Sequence, residues 1–186
     1  MKNIKNIIII ALVIIVGYLG YKITQKTQAG QEEVKITQEE PTPVLTVQPT
    51  PPLIKTLGEF LVTNDEVCTQ NGKPVIYYFG STGCSHCVWE KPVLKKTTDK
   101  FGSEILYHEN IDTQNDSDIF TKYQNINPQG LIPFLVFGCK YVRTGSGENL
   151  GLAKEEENLT ALICKLTNSK PESVCGPLKD QVSNIQ

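Results

Sequence analysis

The stretch Val75-Ile-Tyr-Tyr-Phe-Gly-Ser-Thr-Gly-Cys-Ser-His-Cys-Val-Trp-Glu-Lys-Pro92 carries both structural and chemical signals. Val75 to Phe79 is an apolar run rich in β-branched and aromatic residues, the composition of a buried strand. Gly80 to Gly83 break the run with small residues, as a tight turn requires. Cys84 and Cys87 follow, and helical spacing resumes with Val88, Trp89, Pro92 and Val93. Strand, turn and helix in that order place Cys84 at a helix N-terminus. The partial positive charge and unpaired N–H groups there stabilise a thiolate, the reactive form of the thiol. Cys87, one turn on, is near enough to close a small disulfide ring with Cys84. Between them, Ser85 and His86 tune the pair. A polar or protonated His86 adds positive potential, favours the reduced form and makes the disulfide a better oxidant.

Two other uses of such a pair compete. Half a zinc site is one, but no second Cys-x-x-Cys or Cys/His pair stands at a usable spacing, and no metal or cofactor is expected. An inert structural disulfide is the other.

In this strand–turn–helix setting the residues resemble the active-site region of the thioredoxin superfamily. Pro92, five residues after Cys87, falls where that family kinks its active-site helix. Ile132-Pro133, ahead of the strand-like Phe134-Leu-Val-Phe137, resembles the family's cis-proline, which faces the disulfide and helps to bind the substrate chain. The Cys-x-His-Cys pattern is closer to the DsbA-type oxidants than to Cys-Gly-Pro-Cys thioredoxin. The resemblance covers residues 57 to 167. It departs from thioredoxin at two places. Gly83 replaces the Trp that usually precedes the first Cys. Tyr78 stands where a buried Asp takes a proton from the second Cys. Glu90, one turn beyond Cys87, is the candidate substitute, although a Glu at such a position is ordinarily a solvated helix residue.

Around this centre the chain of 186 residues reads as one domain with appendages. Its net charge of −2 gives no sign of nucleic-acid binding. After a short N-terminus at 1–6, residues 7–23 form an expected transmembrane helix; Ile7 to Tyr21 hold no charge. Extended to Ile4–Ile23, such a helix is about 30 Å long, enough to cross a bilayer core. A cleaved signal peptide is the competing reading, but Thr27-Gln28-Ala29 makes a poor cleavage site. Lys2, Lys5 and the α-amino group favour a cytoplasmic N-terminus with the domain outside. Residues 24–55 read as a linker, ending in Pro41-Thr-Pro43 and Pro49-Thr-Pro-Pro52, which favour extended polyproline II.

The domain is expected at 56–168. Thr56 and Glu59 fit a capping box for a first helix whose one face carries Leu57, Phe60, Leu61, Asn64 and Cys68. The expected order continues as β-α-β-α-β-β-α: strand 75–79, a helix from Cys84 to near Lys100, a parallel strand 105–111, a short helix ending near Tyr123, a hairpin of 134–137 with 141–144, and a last helix with Leu159, Leu162, Ile163 and Leu166 on one stripe. This is a thioredoxin-like α/β arrangement, a central mixed β-sheet flanked by helices. His108, alone in its strand, reads as structural.

Cys68, Cys139, Cys164 and Cys175 remain, with three pairings open. In the fold implied by the resemblance, strands 75–79 and 134–137 are neighbours, and Cys68 and Cys139 both lie at the end away from Cys84. Cys68–Cys139 follows. Cys164, off the apolar stripe of its helix, and Cys175, beyond the Lys170-Pro171 break, would tether a tail at 169–186. Buried free thiols are the alternative. Two structural disulfides beside a reactive pair imply an oxidising compartment. Asn115-Asp-Ser and Asn158-Leu-Thr match the glycosylation pattern, which matters only in a eukaryotic secretory pathway; the short anchor and the resemblance suggest a bacterial cell envelope.

The expected function is that of a single-pass, membrane-anchored extracytoplasmic thiol–disulfide oxidoreductase. Cys84 is the nucleophile, Cys87 resolves the mixed disulfide, and Ile132 and Pro133 position the substrate backbone. Its partners would be protein thiols or disulfides and a redox partner protein. The alternative is a redox-inert binding or assembly module in which Cys84–Cys87 serves stability. Delivery of reducing equivalents to one dedicated client is a third, weaker option.

Overall fold

A computed structural model describes residues 54–186. The anchor expected at 7–23, and the linker up to residue 53, lie outside these residues. Among the described residues no helix is long and apolar enough to cross a membrane.

The centre of the fold is β4, Lys73–Gly80, in which residues 74 to 79 are all buried. A strand covered on both faces has no need of polar alternation, which is why the run reads as continuously apolar. Before it come three two-residue strands, β1 (Ile54–Lys55), β2 (Leu61–Val62) and β3 (Thr69–Gln70). After it come helix α1 (Ser85–Asp99), β5 (Leu106–Ile111), α2 (Ser117–Lys122), β6 (Phe134–Phe137), β7 (Tyr141–Thr144), α3 (Leu152–Leu166), α4 (Glu172–Cys175) and α5 (Lys179–Ser183). The sheet runs in the order β1-β2-β7-β6-β4-β3, with β5 also paired to β4. β5 is parallel to β4, in register from Val75 with Leu106 to Gly80 with Ile111. β6 is antiparallel to β4, and β7 to β6. The molecule is thus a mixed α/β fold.

Side chains alternate across β4 and divide the interior in two. Ile76 and Tyr78 join Leu94 of α1, and Leu159, Leu162 and Ile163 of α3. Val75, Tyr77 and Phe79 join Phe134, Val136 and Tyr123 on the opposite face, against Ile119 and Phe120 of α2.

Two tight hairpins fix the register at the end of β4 away from Cys84. Asn71 and Gly72 both have positive φ, as do Gly138 and Cys139; paired left-handed residues turn a chain sharply enough to join adjacent strands. Gly138 also lies against α3, where an added Cβ would come within 2.8 Å of Leu166 Cδ2. Gly138→Ala therefore meets a backbone penalty and a clash together. It is expected to cost about 2 kcal/mol or more of stability, read as a lower urea midpoint with unchanged slope.

The first helix expected after Thr56 does not form. A single 3-10 turn, Leu57–Glu59, stands there, with Gly58 and Glu59 in the left-handed region. The Thr56 side chain makes no capping bond; its N–H donates to Phe60 O, and the Glu59 carboxylate pairs with Lys55. Leu61 and Val62 instead extend the sheet by pairing with Val142 and Tyr141. A glycine next to the start and a β-branched Val62-Thr63 pair suit strand addition better than a helix.

Residues 169–186 also depart from a simple tether. α4 and α5 fold back on α3, and Cys175, Val182 and Ile185 join its core. This return covers the flank of α3 that carries Cys164, so Cys164 is fully buried although it lies off the apolar stripe.

Candidate active site around Cys84 and Cys87

β4 stops at Gly80, where a Cβ would approach Ile111 Cδ1 to 2.9 Å and the Tyr78 hydroxyl oxygen to 3.0 Å. The turn that follows is held from β5. Asp112, just past that strand, accepts hydrogen bonds from the Thr82 N–H at 3.0 Å and the Thr82 hydroxyl at 2.7 Å. Bonds from Ser81 and Thr82 hold its carboxyl below the usual range. Nothing in the sequence near Asp112 signals this role, because its partners lie thirty residues earlier.

Cys84 is the N-cap of α1, with extended backbone, and its sulfur accepts a hydrogen bond from the Cys87 N–H at 3.2 Å. The first turn contains no acidic residue. A thiolate at this atom would sit at the positive end of the helix with one N–H already aimed at it. Cys84 and Cys87 are joined as a disulfide, with Cα atoms 5.2 Å apart. Their exposure differs: Cys84 is half-buried, whereas Cys87 is 1% exposed. An incoming sulfur therefore meets Cys84.

Ile132 and Pro133 are brought to the same place. The bond between them is cis, and the Ile132 carbonyl oxygen lies 3.7 Å from Cys84 Sγ. The Pro133 carbonyl accepts from the Gly145 N–H at 2.8 Å, which fixes the loop to the hairpin. Beside Ile132 a groove of about 270 Å³ opens between Phe79, Asn110, Thr113 and Phe120.

Tyr78 lies directly under the pair. Fully buried, it donates its hydroxyl to the Cys87 carbonyl oxygen at 2.8 Å. Burial first, then the negative charges of Glu90 and Glu109, push its hydroxyl well above the ordinary tyrosine range. It stays protonated and donates; it takes no proton from Cys87.

Glu90 is not a solvated helix residue. It is fully buried, the result of a network that sequence reasoning did not assemble. Arg143 of β7 donates from one terminal nitrogen, Nη2, to Glu90 Oε1 at 3.0 Å and to Glu155 Oε1 of α3 at 2.6 Å. Its Nη1 reaches Glu155 Oε2 at 3.1 Å and the Gly58 carbonyl at 2.9 Å. The other Glu90 oxygen accepts from the Gly147 N–H at 2.9 Å. Burial pushes the Glu90 carboxyl up to about 8; Arg143 opposes the rise and Glu155 adds to it. One guanidinium thus serves two carboxylates out of contact with water. Arg143 is the only arginine in the chain, and it is buried in β7 beside the buried Tyr141 and Val142. A forked, always-charged group is what bridging two carboxylates requires, and a lone Arg in a Tyr-Val-Arg-Thr strand was the available signal.

Ser85 and His86 are both exposed in the first turn of α1. His86 Nδ1 lies 2.8 Å from Glu148 Oε1, in the loop between β7 and α3. His108 is elsewhere: its Nδ1 faces Asp116 Oδ2 at 2.9 Å, next to Asn110.

The other four cysteines are paired as Cys68–Cys139 and Cys164–Cys175, and no cysteine is free. Cys68–Cys139 joins the segment before β4 to the β6–β7 turn, at the end of the sheet away from the Cys84 pair. Comparison with known protein families, curated proteins and solved structures finds no match to this chain.

Proposed function

We propose that this protein is a membrane-anchored, extracytoplasmic thiol–disulfide oxidoreductase of the thioredoxin superfamily, closest in manner to the DsbA-type oxidants. The observation that carries the proposal is the unequal pair: a half-buried Cys84 whose sulfur caps a helix, joined to a buried Cys87. The layout around it supports the family. β4, α1 and β5 make a parallel βαβ unit, and β6, β7 and α3 follow as an antiparallel ββα unit on the other edge of β4, which is the arrangement of a thioredoxin core.

In the oxidising direction, a substrate thiolate attacks Cys84 Sγ. The Cys84–Cys87 bond breaks, its electron pair goes to Cys87, and a substrate–Cys84 mixed disulfide forms. A second substrate thiolate then attacks its own sulfur in that bond and releases Cys84. Two electrons pass from the substrate dithiol to the enzyme pair, and two protons are redistributed. The helix end at Cys84 stabilises the departing thiolate, which favours this step. Ile132, whose carbonyl lies next to Cys84 Sγ, and Pro133 hold the incoming backbone. Tyr78 in place of a buried Asp favours this direction over a thioredoxin-like reductase, because its hydroxyl donates to the Cys87 carbonyl and takes no proton from the Cys87 thiol. The anchor at 7–23 would hold the domain at a membrane of the cell envelope, where a partner protein reoxidises the pair.

Redox titration of the full chain tests this against a redox-inert module. The Cys84/Cys87 pair is expected well above about −300 mV, while the two other disulfides resist reduction to below that value. A Cys84/Cys87 pair that is reduced no more easily than the other two would make it a structural bond.

A further inference from the structure

We propose that Glu148 is a positioning residue for the redox pair. Its carboxylate, held against His86 in the first turn of α1, offsets the positive potential of the helix end at the Cys84 sulfur, and so sets the pair less oxidising than Cys-Ser-His-Cys implies by itself. The proposal rests on the oxidoreductase reading above and concerns the same site.

His86 and Glu90 stand four residues apart on α1, hence on one face of the helix. Successive residues of the β7–α3 loop meet them. The Gly147 N–H donates to Glu90 at 2.9 Å, and the Glu148 carboxylate lies 2.8 Å from His86 Nδ1. The first attachment is rigid. Glu90 is fully buried and fixed by Arg143, and a Cβ on Gly147 would overlap the Glu155 carboxylate. Glu148 is therefore delivered to His86 by a loop clamped one residue earlier, rather than being a rim residue free to choose its partner. α1 has no acid of its own in its first turn; Glu148 is an acid brought there from another element.

The sign of its effect does not depend on which group of the pair holds a proton. Replacing the carboxylate by an amide always makes the surroundings of His86 more positive, by up to one charge. The Cys84 thiolate exists only in the reduced enzyme, so the reduced form gains. Water screens the pair, since the side chains are 59% and 34% exposed. The effect is therefore that of a surface interaction, a factor of about three in an equilibrium constant.

The test equilibrates the full chain at neutral pH with glutathione. The disulfide takes two electrons from two glutathione thiols, giving the Cys84/Cys87 dithiol and one glutathione disulfide. The reduced fraction of this pair is read by alkylation and peptide mass. Glu148→Gln is expected to raise the equilibrium constant for reduction about threefold, roughly 15 mV at ~30 mV per tenfold. Without His86 nothing holds the Glu148 carboxylate at the helix end, so in a His86→Ala background the same substitution is expected to lose most of that shift. No shift in Glu148→Gln, or an equal shift with and without His86, overturns the proposal. If the pair titrates normally but ignores Glu148, only this proposal falls; if the wild-type pair resists reduction like the other two disulfides, the oxidoreductase reading falls with it.

Discussion

Cys84→Ser should abolish both insulin reduction and the oxidation of small dithiols, a loss of at least about a thousandfold. No other sulfur can take its place. Cys87 is buried above Tyr78, and the remaining four cysteines are bonded to one another in two pairs. Cys87→Ala should behave differently. It leaves Cys84 able to attack a substrate disulfide but removes the neighbour that resolves the product, so mixed disulfides accumulate and appear as reducible higher bands on gels. The two variants together separate attack from resolution. Retained turnover in Cys84→Ser would defeat the assignment of the nucleophile; absence of trapped species in Cys87→Ala, with normal folding, would defeat the resolving role.

The largest effect on stability is expected at Arg143. Arg143→Leu removes the one cation between Glu90 and Glu155, both fully buried. Breaking a buried ion pair from one side typically costs about 3–5 kcal/mol, because a charge is left without water or partner. Urea unfolding measures it directly, and a loss below about 1 kcal/mol would show that the carboxylates find other partners. Adding Glu90→Gln should recover part of the loss above about pH 8, where the carboxyl would otherwise be charged and the amide is not. The same variant reads the pH dependence. Glu90 holds its proton more tightly folded than unfolded: its carboxyl is raised to about 8 from an ordinary 4.5. Its contribution is fully present below about 4.5 and is lost as pH rises towards 8. Wild-type stability should therefore fall across that interval, and Glu90→Gln should flatten the fall. An unchanged slope would place the titration elsewhere.

What could be read in advance was what local sequence controls. β4, α1, β5 and the 134–144 hairpin announce themselves through apolar runs, helical spacing and glycine turns, each complete within some fifteen residues. The helix expected from Thr56 failed because its competitor was remote: pairing with the edge of β7, some eighty residues later, decided how Leu61 and Val62 would lie. Glu90 looked solvated for the same reason. Its partners Arg143 and Gly147 are 53 and 57 residues away. Cys164 lay off its helix stripe, yet a returning segment supplied the cover that no stripe could predict. The Cys84–Cys87 pair itself needed no long-range knowledge, since both sulfurs, the turn before them and the helix after them occupy one continuous stretch.

The bond between Cys68 and Cys139 spans the reactive pair, which lies inside the loop it closes. For a domain that reaches an oxidising space in chain order, this ordering matters. Cys68 emerges first and meets Cys84 and Cys87 long before its true mate arrives. Pairing in order of arrival would tie Cys68 to Cys84 or Cys87 in a dead-end crosslink, and reaching the native pairs in such a space would then take a delay in oxidation or an isomerase to undo the premature match.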